Sequence, residues 1–278
     1  MVAPTDPYEI LPGSKVHLDR RSAGDRSTFS RGEKEAEAEL DELRTALERL
    51  QELLYAGHEH RLLIVLQGMD AAGKDGTIRH VFEGVNPQGV SVTRFRRPSD
   101  VELDHDFLWR VHPHVPAKGE IAIFNRSHYE DVLIVRVRKL VPKRRIRQRY
   151  RAINEFERML VKEGTTILKF YLHIDFAEQG RRLRARLDDP SKHWKFTPSD
   201  LEERRLWPEY MKAYTEAIQE TSTAWAPWYV VPSNRRWYRN LVISRILVRT
   251  LEAWKMQSPE LSPEATAFLR KTPIGRRL

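Results

Sequence analysis

The 278-residue chain contains no cysteine, which excludes disulfides and thiolate metal sites. It has no uninterrupted apolar run near the ~20 residues that cross a bilayer. Its first residues, MVAPTDPYEI, lack the basic start and apolar stretch of a secretory signal. No internal repeat or low-complexity linker breaks it up. These absences predict a cytoplasmic protein with no membrane partner.

What is present is globular in balance, 40% hydrophobic and 31% charged. The formal charge is +9 and the pI about 9.7. Such a field favours an anionic partner: nucleic acid, anionic lipid or a phosphate-rich substrate. Charge alone fits an ordinary basic surface equally well.

Residues 1–32 are polar and punctuated by proline and glycine, and read as an extended arm with little regular structure. Residues 33–278 read as a single domain. Ser30 and Glu33 have capping-box spacing, and Leu40, Leu43, Leu47, Leu50 and Leu54 recur at helical spacing up to Gly57, placed for a left-handed cap. Short apolar runs at 62–67, 90–95, 119–125, 165–174 and 228–232 read as strands. Helical character falls at 101–115, 143–163, 176–188, 200–221 and 236–255. Strands alternating with helices predict an α/β fold, a parallel sheet with helices on both faces.

The segment Gly68-Met-Asp-Ala-Ala-Gly-Lys-Asp-Gly76 fits G-x-x-x-x-G-K and lies between an apolar strand and a helix. The backbone N–H groups of such a loop (Gly68, Ala71, Ala72, Gly73, Asp75, Gly76 and Thr77 here) form a nest for phosphate oxygens at a helix N-terminus. Lys74 adds a mobile charge for the transferred phosphoryl group. The position after the lysine, usually Ser or Thr, is Asp75, and Asp70 lies inside the loop. A carboxylate facing phosphates needs a cation between them, so Asp70, Asp75 or both approach Mg²⁺. The favoured division gives Asp70 to the metal and Asp75 to the helix dipole.

A second cluster, Ile121-Ala-Ile-Phe-Asn-Arg-Ser-His-Tyr-Glu-Asp131, delivers polar groups from a strand end, where open α/β sheets bind ligands. Arg126 offers a planar fork to phosphate and Asp131 a metal ligand; His128 reads as a satisfied structural histidine rather than a ligand. In a third, Arg182 and Arg186 share one face of an Arg-rich helix. The loop that follows, with Lys192 and Lys195, is placed to swing over bound phosphates, giving a lid at about 176–205. The basic run from Arg136 to Arg151 reads equally as a solvated face or a polyanion track.

GMDAAGKDGT (68–77), IFNRSHYEDVL (123–133), LDDPSKHWKFTPSD (187–200) and APWYVVPSNRRWYRN (226–240) together resemble the family-2 polyphosphate kinases, over roughly residues 12–255. FNRSHYEDVL is similar to the subclass accepting nucleoside monophosphates as well as diphosphates; another one-domain subclass carries a Trp-Tyr-Asn-type sequence there. The resemblance implies a P-loop kinase fold like thymidylate kinase, with a helical lid. It implies Mg²⁺, with Mn²⁺ the other candidate, and inorganic polyphosphate in a basic groove. It further implies adenine nucleotides, with guanine the alternative base, no nucleic-acid partner, and a homodimer or homotetramer. Carried over by residue, Asp70 and Lys74 form the Walker A pair, and Arg126 contacts phosphates near the transfer point. Asn125, Glu130 and Asp131 lie by the nucleotide and metal, and Arg186, Lys192 and Lys195 hold phosphate from the lid. The run 143–151 is more basic than the resemblance leads one to expect. The rival readings are an ATP-dependent nucleoside monophosphate kinase, a non-catalytic nucleic-acid binder and a degenerate regulatory P-loop protein.

Overall fold

The structure is a computed structural model and describes residues 6–271. Its strands are β1 (Glu9–Ile10), β2 (Arg61–Gln67), β3 (Val90–Arg94), β4 (Ile121–Asn125), β5 (Thr165–His173) and β6 (Trp228–Pro232). They form one sheet in the order β1-β6-β5-β2-β4-β3. All neighbours are parallel except β1, which runs antiparallel along β6. The helices are α1 (Glu33–Gly57), α2 (Lys74–Val81), α3 (Asp100–Leu103), α4 (Ile134–Val137), α5 (Lys143–Lys162), α6 (Phe176–Leu187), α7 (Pro198–Arg205), α8 (Trp207–Thr221), α9 (Arg236–Glu252) and α10 (Pro263–Lys271).

The strands are apolar on both sides because both faces are covered, as parallel sheets require. Leu62, Ile64 and Leu66 of β2 pack with Leu47, Leu50 and Leu54 of α1 and with Leu241 and Leu247 of α9. Leu63 and Val65, pointing the other way, pack with Ile153 of α5 and with Ala213 and Tyr214 of α8. The period-2 alternation of a strand thus feeds two cores. Of the leucine stripe read from the sequence, Leu40, Leu47, Leu50 and Leu54 are buried and Leu43 is partly so.

Residues 6–32 of the arm hold only β1 and one 3-10 turn, Leu18–Arg20, yet they pack on the domain: Tyr8, Ile10, Val16 and Leu18 are buried, and β1 covers the edge of β6, with Val230 N donating to Tyr8 O at 2.8 Å. Four local expectations are corrected. Helix α1 is capped by Gly32, whose N–H donates to Glu35 Oε2 at 3.1 Å, rather than by Ser30 and Glu33. It runs through Gly57 and closes at His58, which takes the left-handed conformation instead. The helix expected over 101–115 is a single turn, α3, followed by turns and a short 3-10 segment at His112–His114. Asp106 Oδ1 accepts from Leu108 N at 2.9 Å, a local bond that competes with helix continuation. The helix expected over 200–221 is two, α7 and α8, because Pro208 brings no N–H and sits where a helix can begin.

Strand β2 lies between β5 and β4, so the C-terminal ends of β2 and β4 are adjacent, with Leu66 opposite Asn125. Gly68–Gly73 leaves one of these ends and Arg126–Asp131 the other.

Candidate active site

The loop after β2 folds back on itself before α2 begins. Ala72 N donates to Met69 O at 3.0 Å, and Ala71 takes φ 65°. Gly73 caps α2 at φ 109°, and its carbonyl receives both the N–H of Thr77 at 2.8 Å and the Thr77 hydroxyl at 3.1 Å. A Cβ at residue 73 would lie 2.0 Å from Arg239 Nη1, so this position has neither backbone freedom nor space for a side chain. Gly68, Ala71, Ala72, Gly73, Asp75, Gly76 and Thr77 therefore make one continuous turn into a helix.

Lys74 is only 8% exposed. Its ammonium turns back onto the loop, donating to Gly68 O at 2.6 Å and Met69 O at 3.3 Å. Burial, and then the nearby Arg126 guanidinium, pull its pKa down to about 8 against Asp70, Glu130 and Asp75. Asp75 Oδ1 accepts from Asn125 Nδ2 at 2.6 Å, clamping the first turn of α2 to the end of β4.

Arg126 also takes a left-handed backbone, φ 62°, while its N–H bonds Leu66 O at 3.1 Å. A non-glycine residue held there stores strain, a feature that clusters at functional sites. Its guanidinium donates to Asp70 Oδ1 at 2.7 Å and lies 3.8 Å from Glu130 Oε2. The Glu130 carboxylate raises its pKa further, outweighing burial. With its amide oriented to satisfy both ends, Gln67 donates to Glu130 Oε1 at 3.1 Å and accepts from Ser127 N at 3.1 Å.

The structure therefore brings Lys74, Asp70, Asp75, Asn125, Arg126 and Glu130 together. Asp131 is turned another way: its Oδ1 accepts from Arg149 at 3.2 Å, and the same guanidinium bonds its carbonyl at 2.8 Å. Burial raises the Asp131 pKa, while Arg149 and Arg110 oppose the shift. Arg149 belongs to the basic run on α5, so this residue of the run is tied to Asp131 and is not merely solvated. The residues expected to form a lid are engaged with one another. Arg186 donates to Lys195 O at 3.0 Å and lies 3.7 Å from Asp200, Lys192 pairs with Asp189 at 2.5 Å, and Lys195 sits over the Trp194 ring. Asp200, at the start of α7, lies in the electrostatic field of Asp70 and Arg126, so this segment begins near the loop.

What stands behind the loop is two arginines whose contacts the sequence does not show. Arg182, 5% exposed, donates to Ala71 O at 3.0 Å, Ala72 O at 2.9 Å and Ser233 O at 2.5 Å, and pairs with Glu178. Arg239, 1% exposed, donates to Ala72 O at 3.3 Å and to Asn240 Oδ1 at 2.8 Å. Burial, together with Arg182 and Arg236, lowers the Arg239 pKa to about 9. Two guanidiniums thus hold the Ala71 and Ala72 carbonyls from behind the loop, while the N–H groups of Ala72 and Thr77 are taken up by Met69 O and Gly73 O. The available signal was an arginine on the apolar stretch of α9, beside Leu241 and Val242.

No group of three or more His, Asp or Glu among the described residues is arranged to hold a metal ion by itself. The oxygen donors present still fit Mg²⁺, which needs only one or two protein carboxylates when phosphates complete its shell. Asp70 and Glu130 flank one guanidinium, and Asp131 follows Glu130 in sequence. His128 is fully enclosed, with Nε2 3.2 Å from Glu157 Oε1, and acts as a structural histidine.

Residues 30–259 match the family model of polyphosphate kinase 2. The chain is 58% identical over 253 residues to the AMP/ADP-polyphosphate phosphotransferase of Meiothermus ruber, covering 91% of this chain and 95% of that one. It is 48% identical over 236 residues to the ADP-polyphosphate phosphotransferase of Rhodopseudomonas palustris, covering 80% and 82%. Its structure is similar to crystalline polyphosphate kinase 2 from Arthrobacter aurescens TC1, with a TM-score of 0.91 at 40% identity over 98% of both chains. A phosphate-shaped loop backed by arginines, seated on a parallel sheet, agrees with these similarities along nearly the whole length, and the chain belongs to the polyphosphate kinase 2 family.

Proposed function

We infer that this chain transfers the terminal phosphoryl group of inorganic polyphosphate to AMP and ADP, reversibly. The observation that carries this is the 58% identity, over nearly all of both chains, to a protein named AMP/ADP-polyphosphate phosphotransferase. An α-phosphate oxygen of AMP, or a β-phosphate oxygen of ADP, attacks the terminal phosphorus. The bond to the bridging oxygen breaks, and polyphosphate one unit shorter leaves with the electron pair. The attacking oxygen is already anionic, so positioning and charge neutralisation supply most of what the reaction needs.

We assign the loop N–H groups of Gly68 to Thr77 and the Lys74 ammonium to the phosphates around the transfer point, and Arg126 to the charge that develops there. Free of phosphate, Lys74 is satisfied by Gly68 O; a phosphate oxygen would replace that carbonyl. Asp70 would hold Mg²⁺ or Mn²⁺ with Glu130 nearby, and Asp131 would join it on leaving Arg149. Such an ion supplies charge neutralisation between donor and acceptor. Asn125 holds Asp75 toward the loop. Arg186, Lys192 and Lys195 would add cations when the lid folds over bound substrate. Arg149 and its neighbours on α5 support a cationic path leading to Asp131. Adenine is the proposed base, guanine the alternative. We place the reaction in the cytoplasm and expect a homo-oligomer.

The test is nucleotide product analysis with long-chain polyphosphate, Mg²⁺ and either AMP or ADP, without ATP. ADP and ATP formed from AMP support the full reading. Product from ADP alone narrows the acceptor. No product from either, with turnover restored by ATP as donor, would make the chain an ATP-dependent nucleotide kinase.

A further inference from the structure

Beneath the Arg126–Asp131 segment lies an ionic cluster with no exposure to solvent. Lys169, on the inner face of β5, and Glu157, on α5, are both 0% exposed and pair at 2.6 Å. The other two ammonium hydrogens go to Thr221 O at the end of α8, at 2.7 Å, and to the Tyr129 hydroxyl at 3.0 Å. The Tyr129 hydroxyl donates in turn to Glu157 Oε1 at 2.8 Å, and His128 Nε2 lies 3.2 Å from the same oxygen. Lys169 also sits over the rings of Tyr129 and Trp228, 5.5 and 5.3 Å from their centroids. Every ammonium hydrogen is used, and both carboxylate oxygens accept.

A buried ion pair is poor evidence of stability, since apolar side chains of similar volume often serve as well or better. Its distinctive property is direction: hydrogen bonds fix orientation where apolar contacts tolerate slippage. What is oriented here is the short 3-10 turn at His128–Asp131. Its first two side chains point inward to the cluster, and its next two carry carboxylates: Glu130 lies against Arg126 and Asp131 against Arg149. Arg126, held at positive φ, lies two residues before the turn.

We propose that Lys169, Glu157 and Tyr129 are positioning residues for phosphoryl transfer, setting Glu130 and Asp131 relative to Arg126 from inside the core. This rests on the phosphotransferase reading, which wild-type turnover checks separately in the same assay: a wild type without polyphosphate-driven turnover would fail that reading, and the cluster with it. The cluster spans β5, α5, α8 and the turn, so the turn cannot shift without breaking a bond to a fixed element.

Tyr129→Phe keeps the ring and removes only the bridging hydroxyl. We expect it to melt close to the wild type yet lose roughly 10-fold or more in kcat, since small misplacements of reacting groups are costly. The loss should appear with both AMP and ADP and leave the KM for polyphosphate within about 3-fold, a split that general destabilisation does not produce. The double variant Lys169→Met/Glu157→Leu replaces the pair by apolar groups. A double variant that unfolds near the wild-type temperature but stays slow supports positioning. Wild-type kcat in Tyr129→Phe, or in a well-folded double variant, would overturn it. If the double variant does not fold, Tyr129→Phe decides.

Discussion

The Lys74 ammonium donates to the carbonyl of Gly68, the first residue of its own phosphate loop, at 2.6 Å. The lysine is thus held in place before any phosphate arrives, and among the described residues no carboxylate pairs with it directly. Lys74→Ala should abolish polyphosphate-driven turnover, by at least ~100-fold if this cation is aimed at the developing charge. Circular dichroism and the melting temperature should stay near those of the wild type. Turnover within a few fold of normal would remove Lys74 from the mechanism.

The same burial makes the reaction pH-sensitive. Burial first, and Arg126 second, lower the Lys74 pKa to about 8 in the free protein. The protonated form is the one that meets phosphate, so kcat/KM for polyphosphate should fall as pH rises through about 8. It should be flat on the acid side of that limb. Bound phosphate favours the charged form, so the limb in kcat should move to higher pH. Rate–pH profiles at low and saturating polyphosphate check both, and a kcat/KM flat to well above this pH would contradict the assignment.

Gly73 and Arg239 make the loop intolerant of one extra carbon. Gly73→Ala must place a Cβ at φ 109° and 2.0 Å from the Arg239 guanidinium. The left-handed backbone alone costs about 1–2 kcal/mol. Arg239 must then leave the Ala72 carbonyl, and the N–H nest loses its shape. Polyphosphate affinity should drop about 10-fold or more, as expected when an anion nest is distorted. Titration calorimetry with a non-transferable polyphosphate mixture would show it; unchanged affinity would mean that the loop does not shape the phosphate site.

Asp70 holds Arg126 at 2.7 Å and is a proposed ligand of the divalent ion. Asp70→Asn should raise the Mg²⁺ concentration needed for half-maximal rate several-fold and lower kcat by about 10- to 100-fold. EDTA should silence the wild type, and Mg²⁺ or Mn²⁺ should restore it. A variant with an unchanged Mg²⁺ dependence would move the ion away from Asp70.

The loop and its strand were legible in the sequence because G-x-x-x-x-G-K is a local pattern with a local cause. So was the sheet: five of six strands stand out as short apolar runs between helical segments. The second cluster was legible as a list of residues but not as an arrangement. Arg126 does meet both Asp70 and Glu130, whereas Asp131 faces Arg149, a residue of α5 that the sequence left between a solvated face and a polyanion track. At Gly32 and His58 the real caps lie one or two residues from those expected, because competing cap candidates differ in energy by less than local pattern can resolve.

By itself, the sequence determined the class of the protein: an α/β sheet, a glycine-containing loop at a helix start, an Arg-rich helix and a family resemblance along most of the chain. Tertiary structure alone decided what stands behind that loop. Arg182 and Arg239 reach the Ala72 carbonyl from 110 and 167 residues away. Lys169, Glu157 and Tyr129 meet from three separate elements. Periodicity and spacing report which face of an element is buried, because that depends on a few neighbouring residues. Which buried cation meets which carbonyl or carboxylate depends on where distant elements cross, and packing sets that only when the whole sheet is assembled.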